Sequence, residues 1–320
     1  MINYRKTASW FIGSLFLSSA CSTTLEIDHL RSTTDVQSRQ RIEIPNVPFF
    51  AQERYQCGPA ALAMLLSWSG QPVTPEELKP KVYVPDQKGS FQLEMVVATR
   101  SYKRIPYELT LGWQSLIVEI KAGNPVLVLQ NLGLSWFPNW HYAVVKGVDI
   151  ANNEIILHSG SNENHVTNLQ TFERTWQRAN KWAMVVMMPD NIPASADALS
   201  YLKAISAFEK KGKLDIALQA YKASVNQWPT ELIAIVGLGN VYYQLNQLED
   251  AKIAYERAIE IDAEYAPAQN NLAQVLLDTG ELDDAYDHAQ IAVRTGGTHI
   301  KNYRETLKLI EERRRASHTN

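Results

Sequence analysis

The sequence predicts two domains of different class, an α+β domain followed by an all-α solenoid, and three observations support this. Residues 41–190 place helix-like patterns before a series of strand-like patterns. Residues 198–299 repeat with a period of 34. The chain has 320 residues and is 45% hydrophobic, so it is long enough and apolar enough to form two cores.

The first domain is predicted from the order of its elements. Six of the eight Trp lie within residues 41–190, which indicates one compact core there. We predict helices at 57–69, 93–102 and 113–121, and strands at 41–45, 125–130, 141–148, 154–158 and 182–188. Because most strands follow one another after the helices, we expect an antiparallel sheet rather than a doubly wound parallel one.

Charge and motif content exclude several function classes. The net charge is −3, so the basic surface typical of nucleic-acid-binding proteins is not expected. We find no phosphate-binding loop or dinucleotide fingerprint, and therefore expect no cofactor. Cys57, His141 and His158 do not have metal-ligand spacing, so no metal is expected either.

The first 20 residues predict a secretory signal. Arg5 and Lys6 precede an uncharged run at 8–17, which is shorter than the roughly 20 residues that span a bilayer. Small residues then fill positions 18–20, directly before Cys21.

Small residues followed by a cysteine resemble the lipobox of bacterial lipoproteins. The resemblance implies that Cys21 is acylated and anchors the chain, whereas a plain cleaved signal would leave it an ordinary thiol. Ser22, in place of Asp, implies the periplasmic face of the outer membrane. Residues 21–40 are polar and aperiodic, and are predicted to form a flexible tether.

Cys57 stands at the predicted start of a helix, before Gly58 and Pro59, and proline suits a first helical turn. Because the positive end of a helix stabilises a thiolate, we expect a reactive cysteine rather than an inert buried one. The Cys57 backbone N–H would bind a developing oxyanion, and the Gln52 amide is placed to supply a second donor. Gly58 is expected to leave room for the substrate backbone.

A reactive thiol of this kind requires a base. His141 opens a predicted strand directly after the aromatic segment 135–140, at the lip of the core, where a general base is expected. His158 and His165 are interpreted as structural or surface histidines. The aromatic residues before His141 are expected in the core or at the rim of a substrate groove.

Residues 45–190 resemble the papain-like cysteine peptidases that process bacteriocins with double-glycine leaders. The resemblance is carried by Gln52, by residues 57–62 (CGPAAL) and by residues 141–147 (HYAVVKG). It implies a papain-like α+β fold with Cys57 as nucleophile, His141 as base and Gln52 as oxyanion donor. Together with the lipobox and the repeats, it implies a lipoprotein branch of that family.

The chain departs from the family pattern at two places. Gln52 lies five rather than six residues before Cys57, and Gln56 is the alternative donor. The family orients its histidine with an aspartate at the end of the next strand, but Asp149 would lie about 26 Å from His141 along an extended strand.

A turn near 151–153 would instead bring His141 opposite residues 159–163. The candidates for orienting the ring are therefore Ser159, Asn162, His158 and Glu163, with Ser159 or Asn162 acting through the ring Nδ1. A neutral partner stabilises an imidazolium less than a carboxylate does, so weak or highly specific activity is expected.

The last third repeats small and large residues at fixed positions. Ala217, Ala251 and Ala285 are spaced by 34 residues, and Tyr221 and Tyr255 each follow four residues later. This pattern resembles the tetratricopeptide repeat. It predicts repeats at 198–231, 232–265 and 266–299, with a charged capping helix that extends to residue 315.

The inner helices of these repeats carry Asn240, Tyr243, Asn270 and Gln274. Such a lining predicts a groove for a protein partner, and the alternative is a plain scaffold. No lysine pair accompanies the asparagines, so a clamp for a peptide carboxylate is not expected.

The sequence as a whole predicts an envelope-anchored cysteine peptidase acting on a peptide or protein substrate. Two alternatives remain open: a catalytically inactive peptide-binding module, and an enzyme that transfers the acyl group to an amine. A disulfide between Cys21 and Cys57 would remove both the anchor and the nucleophile, so the two cysteines are expected to act separately.

Overall fold

The computed structural model describes residues 26–27, 40–52 and 55–317. The predicted signal, Cys21 and most of the predicted tether lie outside the described residues. Within the described part of the chain, no helix combines the length and hydrophobicity needed to cross a bilayer.

The first domain alternates helices with the strands of one sheet. Its strands are β1 (Ile42–Glu43), β2 (Ile105–Glu108), β3 (Val126–Asn131), β4 (Trp140–Asp149), β5 (Glu154–Ser159), β6 (Asn162–Asn168) and β7 (Ala183–Met187). Its helices are α1 (Cys57–Trp68), α2 (Pro75–Val82), α3 (Gln92–Ser101), α4 (Trp113–Lys121) and α5 (Leu169–Gln177), with a 3₁₀ turn at Pro85–Gln87.

The seven described strands form a single sheet in the order β2-β7-β3-β4-β5-β6, and β1 also pairs with β4. Each of these pairings is antiparallel. The predicted α+β class is therefore confirmed. On β4, His141 pairs with Gln130 of β3, and Val144 pairs with His158 of β5.

The sequence patterns missed β2, β6, α2 and α5. Strand β6 reads NENHVTN and is exposed at all but one position, so it lacks the alternation of a half-buried strand. Strand β2 contains Pro106, which weakens a strand signal. Helix α2 has Pro80 near its end, although the Thr74–Glu77 capping box at its start was a readable signal.

Helix α1 lies in the centre of the domain. All nine residues of 58–66 are buried, because the helix packs against β4 as well as against α2 and α3. The burial of this run therefore extends around the whole helix. The sheet and the neighbouring helices therefore fix the position of Cys57, its first residue.

The second domain consists of helix pairs and a final single helix. The helices are α6 (Ala198–Lys210), α7 (Leu214–Gln227), α8 (Leu232–Gln244), α9 (Leu248–Ile261), α10 (Ala266–Thr279), α11 (Leu282–Thr295) and α12 (Ile300–Ser317). Helix α12 buries two residues, Tyr303 and Ile310, and is otherwise largely polar, as a terminal helix of a solenoid requires.

Glycines allow close packing both within these helix pairs and between successive pairs. A Cβ on Gly239 would lie 2.5 Å from Cε1 of Tyr255, and one on Gly237 would lie 2.4 Å from Cε1 of Tyr221. Ala217, Ala251 and Ala285 are fully buried. The small residues of the 34-residue pattern thus lie where neighbouring helices pack at short distance.

The two domains share one continuous hydrophobic cluster. The rings of Tyr107 on β2 and Tyr201 on α6 lie 6.4 Å apart. Glu119 of α4 is fully buried, and its Oε1 accepts a hydrogen bond of 2.6 Å from the backbone N–H of Ser195 in the connection. The repeats are therefore packed against the sheet rather than joined to it by a free linker.

Part of the predicted tether also contacts the domain. The backbone N–H groups of Glu26 and Ile27 donate to the Glu173 carboxylate at 3.0 and 3.2 Å, and Ile27 is fully buried. The tether prediction is therefore wrong for these two residues, because the buried carboxylate of Glu173 binds their backbone.

Candidate functional site

A cleft of about 1030 Å³ crosses the first domain, and Cys57, His141 and Gln52 all line it. One wall is formed by residues 87–92 and the other by residues 137–140. The structure thus brings together three of the four predicted catalytic residues in one cleft, and the fourth, Ser159, lies next to the lining residue Gly160.

Cys57 is the first residue of α1 and carries a free thiol that is largely buried. Burial raises the pKa of this thiol, while backbone hydrogen bonds from Tyr142, Gly58 and Cys57 itself lower it by less. The helix terminus acts in the predicted direction. The expectation of a resting thiolate is nevertheless not supported, because desolvation dominates.

His141 is the second residue of β4, and its Nε2 lies 2.8 Å from Oγ of Ser159. The sequence predicted this contact through Nδ1; the structure places it at Nε2 instead. Burial, with a smaller contribution from the charge on His165, lowers the pKa of His141 to about 4. At neutral pH the ring is therefore uncharged.

The other candidates for orienting His141 have different partners. The ring of His158 is fully buried and contacts the backbone carbonyls of Val47, at 3.0 Å, and Glu163. The exposed Asn162 opens β6 and pairs with Ser159. Ser159 is thus the candidate that the structure places against the ring.

Asp149 lies at the far end of β4 from His141, as the strand geometry predicted. Its carboxylate accepts hydrogen bonds of 2.9 Å from the backbone and side-chain N–H groups of Asn152. It therefore closes the β4–β5 turn and does not act on the imidazole.

Gln52 connects the strands that carry His141 and Ser159. Its Nε2 donates to the carbonyl of Tyr142 at 3.2 Å, and its Oε1 accepts from the N–H of Gly160 at 3.2 Å. Its backbone N–H also donates to the carbonyl of Gly160 at 3.0 Å. Gln52 is therefore held rigidly in the cleft, with the second hydrogen of its amide available for a ligand.

Gly58 has a packing role that the sequence did not reveal. A Cβ at this position would lie 2.3 Å from Oγ of Ser90, a residue of the cleft wall. The glycine is thus needed for the approach of residues 87–92, whereas the sequence predicted space for substrate backbone. Ser90 was missed because it lies in a polar loop without a motif.

Residues 132–140, here called the aromatic loop, comprise the connection from β3 to β4 and the first residue of β4. The sequence left open whether their aromatic side chains belong to the core or to the rim. Trp136, Phe137 and Trp140 are all exposed, so the core interpretation is wrong. Phe137 and Trp140 line the cleft beside His141.

A second, smaller cavity of about 250 Å³, the repeat cavity, lies on the repeats. Asn240, Tyr243, Asn270 and Gln274, the four residues predicted to line the groove, all line it. Asn271 lines it as well, and was missed because its counterpart one repeat earlier is Gly237.

The amides of the repeat cavity bind one another. Asn270 Nδ2 donates to Asn271 Oδ1 at 3.2 Å, and Asn271 Nδ2 donates to Asn240 Oδ1 at 2.8 Å. The hydroxyl of Tyr255 also donates to Asn240 Oδ1, at 3.0 Å. The cavity therefore has a continuous polar lining whose members hold one another in place.

Within residues 26–27, 40–52 and 55–317, no group of three His, Cys, Asp or Glu residues is close enough to hold a metal ion. The cleft therefore offers the chemistry of a thiol, an imidazole, amides and backbone N–H groups.

Comparison with known proteins gives separate matches for the two domains. The chain shares 52% identity over 45 residues with the uncharacterized protein ycf37 of Porphyra purpurea, which is 14% of this chain and 26% of that protein. The chain thus spans about a quarter of the length of this curated relative.

Two solved structures resemble the two domains. A C39-like peptidase from Bacillus anthracis is 17% identical, with a TM-score of 0.41, over 46% of this chain and 98% of that one. The Sgt2 TPR domain of Aspergillus fumigatus is 15% identical, with a TM-score of 0.36, over 38% and 82%.

Models of two known families match the sequence itself. Residues 239–280 match a TPR repeat. Residues 44–184 match the Peptidase C39-like family, so the chain carries a C39-like domain followed by TPR repeats.

Proposed function

We propose that the first domain is a cysteine peptidase with Cys57 as nucleophile, His141 as general base, Ser159 as the residue that orients His141, and Gln52 as an oxyanion donor. The observation that carries the proposal is the contact of 2.8 Å between His141 Nε2 and Ser159 Oγ, in a cleft that also contains Cys57. Cys57, His141 and Ser159 then form a nucleophile, a base and an orienting group, the arrangement that nucleophilic catalysis requires.

The chemistry starts from an uncharged pair. Nε2–H of the neutral imidazole donates to Ser159 Oγ, which leaves Nδ1 free to accept the thiol proton as the sulphur attacks the peptide carbonyl. The Cys57 N–H and the second N–H of Gln52 stabilise the oxyanion. The imidazolium then protonates the leaving amine, and a water molecule deprotonated by His141 hydrolyses the thioester.

A catalytically inactive peptide-binding module is the second candidate. It is favoured by the neutral resting pair and by a hydroxyl, rather than a carboxylate, beside His141. A hydroxyl stabilises an imidazolium less than a carboxylate does, so the same cleft would then bind a peptide without cleaving it. Acyl transfer to an amine is the third candidate, and analysis of the products distinguishes it from hydrolysis.

Hydrolysis of a peptide library by the full chain at neutral pH tests the proposal, with a Cys57→Ser variant as the control. Mass spectrometry should detect cleaved peptides with the parent chain and none with Cys57→Ser or His141→Ala. Because burial raises the pKa of the Cys57 thiol, fast alkylation of the free enzyme is not expected. Absence of cleavage by the parent chain would contradict the enzyme, and the same spectra separate hydrolysis from transfer.

We also propose that the repeats bind a protein partner in the repeat cavity and that a lipid on Cys21 anchors the chain at the outer membrane. The four predicted lining residues around the repeat cavity support the first proposal. The small residues before Cys21 support the second. A mass spectrum of the mature N-terminus tests the lipid, since an unmodified Cys21 thiol would exclude it.

A further inference from the structure

We propose that the aromatic loop determines substrate specificity by binding apolar side chains of the peptide that enters the cleft. This inference rests on the proposed peptide-binding function of the cleft, but it concerns the kind of peptide selected. It assigns a role to side chains that neither the core nor the proposed catalytic step uses.

The exposure of the loop is the first observation. Trp136 is 81% exposed, Phe137 is 72% exposed and Trp140 is 54% exposed. Leu132 and Leu134, in the same loop, are also exposed. Five large apolar side chains in nine residues are thus exposed, and the rings of Trp136 and Phe137 lie 6.3 Å apart. Exposed apolar side chains clustered in this way mark a site of interaction.

The loop is held rigidly despite this exposure. Asn131 is 2% exposed, and its Oδ1 accepts hydrogen bonds of 2.9 Å from the backbone N–H groups of Gly133 and Asn139. Leu134 and Phe137 exchange two backbone hydrogen bonds of 3.1 Å.

Arg178, at the C-terminal end of α5, binds the backbone at the start of the loop. Its Nη1 donates to the carbonyl of Asn131 at 3.0 Å and also to the carbonyl of Gly133. The backbone is thus fixed before any ligand arrives, which reduces the entropy lost when the aromatic rings bind one.

The loop continues directly into the cleft. Phe137 and Trp140 line the wall beside His141, and Phe91, which is 50% exposed, lines the opposite wall. Among the described residues that line the cleft, Lys88 is the one Lys, Arg, Asp or Glu. A cleft with aromatic walls and so little charge fits an uncharged segment with apolar side chains better than an acidic or basic one.

A binding experiment separates this inference from catalysis. The full chain with Cys57→Ala would be titrated with two fluorescein-labelled peptides that differ at central positions, where one has Leu or Phe and the other Ser. We expect the apolar peptide to bind about tenfold more tightly, since apolar pockets discriminate by roughly 10–200-fold. The double change Trp136→Ser and Phe137→Ser should remove this preference.

Ile253→Ser is the matched control, since Ile253 is 56% exposed but lies on α9, outside the cleft lining. The Ile253→Ser variant should prefer the apolar peptide as strongly as the parent chain does. Equal affinity for the two peptides, or an unchanged preference in the loop variant, would overturn the inference. Loop-dependent binding to phosphatidylglycerol vesicles without peptide selectivity would overturn it in favour of a membrane contact.

Hydrolysis by the chain with Cys57 intact is measured separately. Loop-dependent peptide binding without hydrolysis supports this inference and contradicts the peptidase. Hydrolysis with equal kcat/KM for the two peptides supports the peptidase and contradicts this inference.

Discussion

The cleft and the repeat cavity are both polar concave surfaces, but their side chains are used differently. In the repeat cavity, hydrogen bonds link Asn270 to Asn271 and Asn271 to Asn240, although the buried Oδ1 of Asn270 accepts none from the described residues. In the cleft, the His141 ring has one nitrogen at Ser159 and the other uncommitted, and the Gln52 amide keeps one hydrogen unused.

This difference separates recognition from chemistry. Side chains that bind one another form a fixed surface, and changing one of them disturbs its neighbours. Side chains with spare bonding capacity can react, and changing one of them alters the reaction more than the fold. The comparison therefore predicts opposite effects on stability and activity in the two places.

The largest effect is expected from His141→Gln. Loss of the base should lower kcat for peptide hydrolysis by about 10²–10⁴-fold. The free energy of unfolding at neutral pH should change little, because the wild-type ring is uncharged there and glutamine can still bond to Ser159. Steady-state kinetics and urea unfolding measure the two quantities. A large loss of stability with activity retained would contradict the difference expected between the cleft and the repeat cavity.

A smaller and opposite effect is expected from Asn271→Ala in the repeat cavity. Removing this amide takes a partner from both Asn240 and Asn270, so the free energy of unfolding should fall by about 1 kcal/mol. Hydrolysis should be unchanged. Glu256→Ala, on the exposed surface of α9, is the control for the general cost of a substitution. Equal stability of the two variants would show that the asparagine network adds nothing.

The sequence predicted those features of each region that depend on local or periodic patterns. Cys57 and His141 were found because a helix start and a strand start are local features. The repeat lining was found because the 34-residue period identifies the inner helices, on which Asn240 and Gln274 occupy equivalent positions. Asn271 was missed because the repeat carries glycine at the equivalent position, Gly237, where it packs against Tyr221.

The remaining differences come from contacts between segments that are far apart in the sequence. Ser90 packs directly against Gly58, a contact that no local sequence pattern encodes. Whether Cys57 is a thiolate depends on how much burial opposes the helix terminus, and that burial comes from the whole domain. The contact at Nε2 rather than Nδ1 depends on the rotation of the His141 ring, which the strand register alone does not fix.

The smallest effect, and the most specific to the cleft, is expected at Ser159. Ser159→Ala removes one hydrogen bond to His141 and should lower kcat about 3–10-fold with KM nearly unchanged, whereas Asn162→Ala should have no effect. In the wild type, kcat/KM should hold down to pH about 4, where the base becomes protonated. Ser159→Asp places a carboxylate beside the imidazolium, raises the His141 pKa and should move this acid limb to higher pH. If the acid limb of the kcat/KM profile does not move in Ser159→Asp, residue 159 does not act on the His141 ring. Another residue would then orient His141.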